Sequence, residues 1–346
     1  MQLFETAAAL SALRGVSGRE QEAFGELAAI CAGYFDETFT TPANSFVGIR
    51  RCGKRDALRL MLDAHLDEVG FLVKQICEGG FLKVVSVGGI DTAILSSAEV
   101  TIYGNETIHG VFTSVPPHLR SGSGDEKPKL GDLCIDTGLN TDKLRDIVKI
   151  GTPVAYRSEI IRLANDKICG KSFDDRICML AILAALDMLK GRDLNVDVYA
   201  HFASGEETGY IGGKTGTYAI DPDIAVALDV CNAYVPGAPE LMKERRLGCG
   251  PVISVSATLD TNVTNVLKKI ASDNSIPHKV VAEPTRTGTD AHVFQLTRCG
   301  IPGGLVSVPL HNMHTYNEVC SLADVENTAL LLSKFIETAG EIKWNN

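Results

Sequence analysis

Two adjacent carboxylates, Glu206 and Glu207, stand directly after the apolar run 196–202, inside the turn-like stretch Ser204-Gly205-Glu206-Glu207-Thr208-Gly209. Side by side at a strand exit they repel one another, and a divalent cation offsets that repulsion. The chain supplies further groups of the kind such a cation takes. His65 and Asp67 follow the apolar run 58–62, Asp174 and Asp175 precede a strongly apolar helix, Asp229 closes the run 224–230, and His314 follows 304–308. Each sits where a central strand ends or a helix begins, which is where open α/β sheets bind ligands.

Taken singly, most of these signals have a plainer explanation. In His65-Leu66-Asp67 the carboxylate can accept the imidazole N–H that a metal leaves unused, but the same tripeptide also suits a polar surface loop. Asp174 and Asp175 alone read as helix capping, since acidic residues complement the helix dipole in the first turn. Glu206 and Glu207 resist such a reading, because Ser204, Gly205 and Gly209 mark a tight turn. There one carboxylate can bind metal while its neighbour stays free as a base. Asp229 is a charge in an otherwise apolar strand, and burying a lone carboxylate is costly unless a cation accompanies it. His311 competes with His314, and residue type leaves both open. The set as a whole offers oxygen and nitrogen ligands suited to Zn²⁺, Co²⁺ or Mn²⁺. It needs no cysteine, unlike a structural zinc finger.

The elements that must position these groups can be read from pattern. Residues 3–13 predict a helix. Ser17 and Glu20 have the spacing of a capping box for a second helix running to about residue 32. Strands are expected at 46–50 and 58–62. From about 70 to 156 the pattern changes to short β-type runs at 70–76, 81–85, 99–103 and 108–112, separated by Gly, Asn and Pro turns, with one helical stretch at 141–148. Residues 115–129 hold three prolines and few apolar side chains and predict an exposed loop. After Asp175 the pattern becomes α/β: helix 176–189, strand 196–203, strand 224–230, helix 262–272 capped by Thr261, and a last helix from Ser321 with Asp324 three residues on. These signals predict a β-rich unit inserted into an α/β domain that is built from both ends of the chain.

Composition narrows the partners. The 346 residues are 45% hydrophobic and 22% charged, with a formal net charge of -10 and no block of Lys or Arg. A nucleic-acid or anionic-membrane partner needs concentrated positive charge, which this chain lacks. The longest apolar run, 177–186, falls well short of the roughly 20 residues that span a bilayer. Met1-Gln2-Leu3-Phe4-Glu5 lacks the cationic start of a signal peptide. The ten cysteines are scattered without a Cys-x-x-Cys pair, as expected for small apolar side chains in a reducing compartment. A cytoplasmic location follows as the expectation.

The order His-x-Asp, Asp-Asp, Glu-Glu, Asp, His resembles the co-catalytic metallopeptidases, in which two metals roughly 3.5 to 4 Å apart share a bridging carboxylate and a water. Within that group the chain resembles the M42 family of glutamyl and leucyl aminopeptidases, the self-compartmentalising TET peptidases, which also carry an endoglucanase-like description. The resemblance runs nearly end to end. It is carried by Gly15-Val16-Ser17-Gly18, Ala64-His65-Leu66-Asp67-Glu68-Val69-Gly70-Phe71 and Pro116-Pro117-His118-Leu119. It continues through Phe173-Asp174-Asp175-Arg176, Gly205-Glu206-Glu207, Gly288-Thr289-Asp290-Ala291 and Met313-His314-Thr315.

The resemblance implies an α/β catalytic domain at 1–69 and 160–346, with a mixed central sheet flanked by helices, and an inserted β-rich dimerisation domain at 70–159. It implies an aminopeptidase acting on peptides with two divalent ions per subunit, Zn²⁺ or Co²⁺, in a dimer-based homo-oligomer of up to twelve subunits. By motif, Asp174 would bridge the metals, His65 and Asp229 would hold one, and Glu207 and His314 the other. Glu206 would be the general base and Asp67 would orient His65. Thr208, where many relatives have valine, and His311-Asn312, where many have an arginine-aromatic pair, depart from the pattern and leave substrate preference open. Two other readings stand beside this one. Glycoside hydrolysis also uses paired carboxylates, but adjacent residues cannot easily flank a sugar bond from opposite sides. A non-catalytic, metal-clamped assembly protein would have no use for Glu206 outside the ligand set.

Overall fold

The computed structural model describes residues 1–115, 127–342 and 344. Most of the loop expected at 115–129, and the motif Pro116-Pro117-His118-Leu119 within it, lie outside the described residues. The chain opens with helices α1 (Leu3–Ala12) and α2 (Phe24–Ile30), joined through a 3₁₀ turn at Glu20–Ala23. Ser17 and Glu20 do not form the expected capping box. Glu20 Oε1 accepts N–H groups from Gly18 and the distant Gly205, and Ser17 Oγ meets Thr208 Oγ1. A carboxylate at that spacing can satisfy any N–H within reach, and here part of what it satisfies is a remote turn.

Strands β1 (Glu37–Thr40), β2 (Phe46–Arg50) and β3 (Leu58–His65) follow. Next come β4 (Gly70–Ile76), β5 (Phe81–Val87), β6 (Glu99–Tyr103), β7 (Thr107–Phe112), β8 (Ile135–Asp136), helix α3 (Thr141–Ile147) and β9 (Pro153–Tyr156). β4 to β9 close into an antiparallel barrel in the order β4-β5-β8-β7-β6-β9. Alternate residues of its strands, among them Phe71, Val73, Val100, Ile102 and Val154, form a hydrophobic core of their own. Closure leaves these short strands without an open edge.

The chain continues with β10 (Ile161–Arg162), β11 (Lys167–Gly170), α4 (Phe173–Met188), β12 (Val196–Ala203), α5 (Ile211–Ile220), β13 (Ile224–Asn232) and β14 (Val252–Val255). It ends with α6 (Thr261–Asp273), β15 (Lys279–Ala282), α7 (Ala291–Phe294), β16 (Gly303–His311), β17 (Glu318–Ser321) and α8 (Leu322–Ala339). The large sheet runs β1-β2-β12-β3-β13-β16-β17-β11-β10, with β14 on β16 and β15 on β14. It is mixed. β12, β3, β13 and β16 are parallel, while β2 and β17 pair antiparallel at their flanks. The fold is therefore α/β with a mixed sheet, as expected.

Both faces of the parallel strands are covered, which is why they read as unbroken apolar runs. Leu60, Leu62, Val198, Val226 and Val306 join one core, and Met61, Tyr199, Ala225 and Leu305 the other. Helix α4 packs against β3 and β13 on one side and α1 and α8 on the other. That placement accounts for a helix buried along its length from Phe173 to Leu186. It begins three residues before Arg176, because Asp174 and Asp175 belong to its first turn with non-helical dihedrals and a cis bond between them. Two helix starts differ from expectation. Asp260 rather than Thr261 caps α6, accepting from Val263 N–H, and Asp324 accepts the N–H groups of Gly248 and Gly250 instead of closing a capping box with Ser321. No helix among the described residues is long and apolar enough to cross a membrane.

One buried network ties the N-terminal helix to the sheet. Arg176, 1% exposed, donates to the carbonyls of Leu13 at 2.6 Å, Leu10 at 3.2 Å and Leu66 at 3.2 Å, and to Glu68 at 3.3 Å. Burial works to raise the Glu68 carboxyl, but Lys171 and Arg176 beside it outweigh that and hold it below its usual range. Arg176→Met leaves Glu68 with Lys171 as its one cation and strips the buried carbonyls of their donor, and is expected to cost about 3–5 kcal/mol. The exposed pair Arg145–Asp142 is the control, and Arg145→Ala is expected to cost at most about 1 kcal/mol. Denaturant midpoints at constant m-value measure both, and equal midpoints for the two variants would refute the account.

Candidate metal centre

Parallel pairing puts the ends of β12, β3 and β13 side by side. Ala203 is opposite His65, Asp63 is opposite Ala227, and Asp229 follows two residues later on β13. The first turn of α4 brings Asp174 and Asp175 to the same edge, and the loop from β16 to β17 brings His314. His65 Nε2 lies 3.0 Å from Asp174 Oδ1, and His314 Nε2 lies 3.2 Å from both Asp174 Oδ2 and Glu207 Oε1. Asp174 therefore sits between the two imidazoles. Ligand atoms of His65, Asp174 and Glu207 lie within 4.8 Å of one another, as do those of His65, Asp175 and Asp229. Asp175 was expected only next to the ligands. Its Oδ2 accepts the His65 backbone N–H at 3.1 Å, and its Oδ1 is buried without a hydrogen-bond partner among the described residues.

His314 rather than His311 reaches the cluster. His311 Nε2 faces the Tyr234 carbonyl at 3.1 Å, and Asn312 donates to Asn317 O, so neither lines the cavity. Asp67 does more than orient His65. Its carbonyl is 3.0 Å from His65 Nδ1 and its carboxylate 3.5 Å away, while the two carboxylate oxygens accept Glu206 N–H at 3.1 Å and Glu207 N–H at 3.2 Å. The same residue thus fixes the ring and the carboxylate pair.

Three supports were not foreseen. Gly89, from the segment after β5, turns its carbonyl to His314 Nδ1 at 2.8 Å, so the barrel side of the chain sets that ring's direction. Glu318 accepts the N–H groups of Phe173, Asp174 and His314, holding both approaches to the centre. Glu68 binds Lys171 at 2.6 Å and Ser172, steadying the loop before Asp174. A backbone carbonyl carries no residue-type signal, and a glutamate that meets remote N–H groups looks like any other in sequence.

The electrostatics state what the site lacks. Burial, opposed by His65 and reinforced by Asp229, Asp290 and Glu207, pushes the Glu206 carboxyl up to about 11. Burial likewise raises Glu207, and lifts Asp229 and Asp175 well above the carboxylate range, with neighbouring acids adding to it. Asp174 alone is held low: burial opposes this, but its bonds to His314 and His65 prevail. His314 rises to about 11 because Asp174 and Glu207 outweigh the effect of burial. Asp229 accepts only its neighbour's N–H, from Val230, among the described residues. Buried oxygens with so few donors, interleaved with imidazole nitrogens, fit divalent cations. The centre opens into a cavity of about 620 Å³, lined also by Leu241, Met242, Arg245, Glu283 and Met313.

Comparison with known proteins identifies the family. Residues 45–331 match the family model of the M42 glutamyl aminopeptidases. The lysyl aminopeptidase of Pyrococcus furiosus is 30% identical over 82% of this chain and 83% of its own length. The glutamyl aminopeptidase of Lactococcus lactis is 28% identical over 99% of each chain. Among solved structures, an aminopeptidase from the archaeon Desulfurococcus kamchatkensis superposes with a TM-score of 0.90 at 31% identity, covering 97% of this chain and 94% of that one. The Pyrococcus horikoshii TET1 peptidase, described as assembling into a tetrahedron or a large octahedral shell, superposes at 0.85 with 25% identity over 97% of this chain and 99% of its own. The chain is a peptidase hydrolase and belongs to the M42 glutamyl aminopeptidase family.

Proposed function

We propose that the protein is a dinuclear-metal aminopeptidase that removes single residues from the N-terminus of peptides, with Glu206 as the general base. The observation that carries this reading is Asp174 lying between His65 and His314, with Glu207 beside His314 and Asp229 grouped with His65. In this reading Asp174 would be shared by two ions, His65 and Asp229 would hold one, and Glu207 and His314 would hold the other. Bound Zn²⁺ or Co²⁺ would supply Lewis acidity for the scissile carbonyl and acidify a water. The rest falls to the chain. Glu206, 8% exposed at the cavity and bonded to no imidazole among the described residues, would be kept ionised by the charge of the bound cations, and as a carboxylate accepts the proton of the attacking water and returns it to the leaving amine nitrogen. Asp67 holds that carboxylate in place through its backbone N–H. The acidic wall favours a free substrate α-amine, which restricts cleavage to chain ends.

Two observations support a homo-oligomer built through residues 70–159. Val85, Val111 and Ile150 are exposed apolar side chains there, and the TET1 relative assembles into closed shells.

Chelated protein is expected to lose activity and regain it with Zn²⁺ or Co²⁺, binding two ions per chain by elemental analysis. Asp174→Asn is expected to lose metal affinity, and full activity of metal-free protein would sink the proposal. Glu206→Gln is expected to keep its metal while kcat drops by about 10²-fold or more. Near-normal turnover in that variant would remove Glu206 from the role of base. A library of free peptides, their N-acetylated forms and soluble β-glucans tests the substrate class. Release of N-terminal residues from free peptides alone is expected. Cleavage of acetylated peptides would remove the amine requirement, and glucan cleavage without peptide cleavage would overturn the peptidase role. Light scattering is expected to show a mass well above the 37.0 kDa chain, with twelve subunits the favoured assembly, and a monomer at micromolar concentration would refute it.

A further inference from the structure

The turn that carries Glu206 is held by acceptors borrowed from elsewhere in the chain. Ser45 Oγ accepts Ser204 N–H at 3.2 Å, Glu20 Oε1 accepts Gly205 N–H at 3.0 Å, and the Asp67 oxygens accept the N–H groups of Glu206 and Glu207. Glu20 belongs to no ligand set, yet it is 1% exposed. The same oxygen accepts Gly18 N–H at 2.8 Å, where the backbone turns through a left-handed glycine at φ 83°. One oxygen therefore shapes the N-terminal segment and grips the turn before the base.

That segment is fastened at two more points. Ser17 N–H donates to the Glu68 carbonyl at 3.1 Å, and Glu68 N–H donates to the Gly15 carbonyl at 2.8 Å. Ser17 Oγ lies 2.9 Å from Thr208 Oγ1, directly after the carboxylate pair. Residues 15–20 thus bridge the loop bearing His65, Asp67 and Glu68 to the turn bearing Glu206 and Glu207. A carboxylate needed only to shape an exposed N-terminal bend would remain in water, since burying it is costly. Here one of its oxygens is spent on a turn whose tilt sets the direction of the Glu206 side chain.

We propose that residues 15–20 form a positioning strap for the general base, with Glu20 as its positioning residue acting through Gly205 N–H and the Ser17–Thr208 bond as its second fastening. The proposal rests on Glu206 being the base. A displacement of about 1 Å at a reacting group lowers turnover by up to about 10²-fold, so the strap is read in kcat.

The test uses the full-length, metal-loaded chain with Glu20→Gln, Glu20→Ala, Ser17→Ala, Thr208→Val and the Ser17/Thr208 double variant. Two readouts are taken: peptide kinetics, and hydrogen exchange of the segment 203–209 without substrate. Glu20→Ala is expected to lower kcat by roughly 10- to 100-fold, with KM and bound metal near wild type and faster exchange at 204–207. Glu20→Gln, whose amide oxygen can accept the same N–H groups, is expected to restore most of both. Ser17→Ala and Thr208→Val are each expected to lower kcat roughly threefold, with no further loss in the double variant. Unchanged exchange and kcat in Glu20→Ala would overturn the strap, as would a loss shared equally by kcat, KM and metal content. Should Glu20→Ala fail to fold, Thr208→Val decides alone by the same two readouts. If the wild type cleaves no peptide, the peptidase reading fails while exchange in Glu20→Ala and Glu20→Gln still supports or overturns the strap.

Discussion

Mutual repulsion among buried carboxylates is the constraint around which this molecule is arranged. Asp174, Asp175, Glu206 and Asp229 are all buried at one edge of the sheet, with Glu207 beside them. Each prefers to leave or to take a proton, since a desolvated anion is costly. The fold opposes this in layers. Two imidazoles meet Asp174, backbone N–H groups meet Asp67 and Glu318, and Lys171 with Arg176 neutralise Glu68 just behind. Where donors among the described residues are few, at Asp229 with the Val230 N–H alone and at one oxygen of Asp175 with none, the remaining demand is for a cation.

Pairing register converts residues far apart in sequence into a single centre. Parallel alignment of β12, β3 and β13 fixes where His65, Glu206 and Asp229 stand relative to one another, and a slip of one residue would turn each to the opposite face. Apolar side chains on both faces of these strands leave no alternative register that keeps both cores filled. The stability of the cores and the geometry of the site are therefore the same requirement. Buried side-chain acceptors then do the finer adjustment, holding consecutive amides of the Ser204–Glu207 turn from Ser45, Glu20 and Asp67.

The division between chemistry and scaffold does not follow the division between barrel and sheet. Gly89, next to the barrel strand β5, orients His314, and a side chain on Gly89 would meet that ring at 3.2 Å. Gly88 is packed against Val69 and Glu207 in the same way. The inserted β unit is thus coupled to the centre through close backbone approach, and any movement of the barrel relative to the sheet would be felt at His314.

Residue type and strand-exit position were enough to mark His65, the Asp174–Asp175 pair, Glu206, Glu207 and Asp229 as candidates, with His311 and His314 both open, because charged side chains at the ends of apolar runs are conspicuous against a buried sheet. The α/β character and the run of short strands that forms the barrel were legible for the same reason: apolar periodicity reports which faces are covered. Partner choice was not legible. Ser17 and Glu20, and again Ser321 and Asp324, carry the spacing of capping boxes, yet their oxygens meet Thr208, Gly205, Gly248 and Gly250. His311 and His314 were equivalent by type, and only the loop after β16 placed one at the centre and the other against Tyr234. Sequence by itself determined which atoms are available for chemistry, since that depends on side-chain identity and local burial. Tertiary structure decided which of them meet, since a hydrogen-bond acceptor is satisfied by whichever donor the folded chain brings within reach.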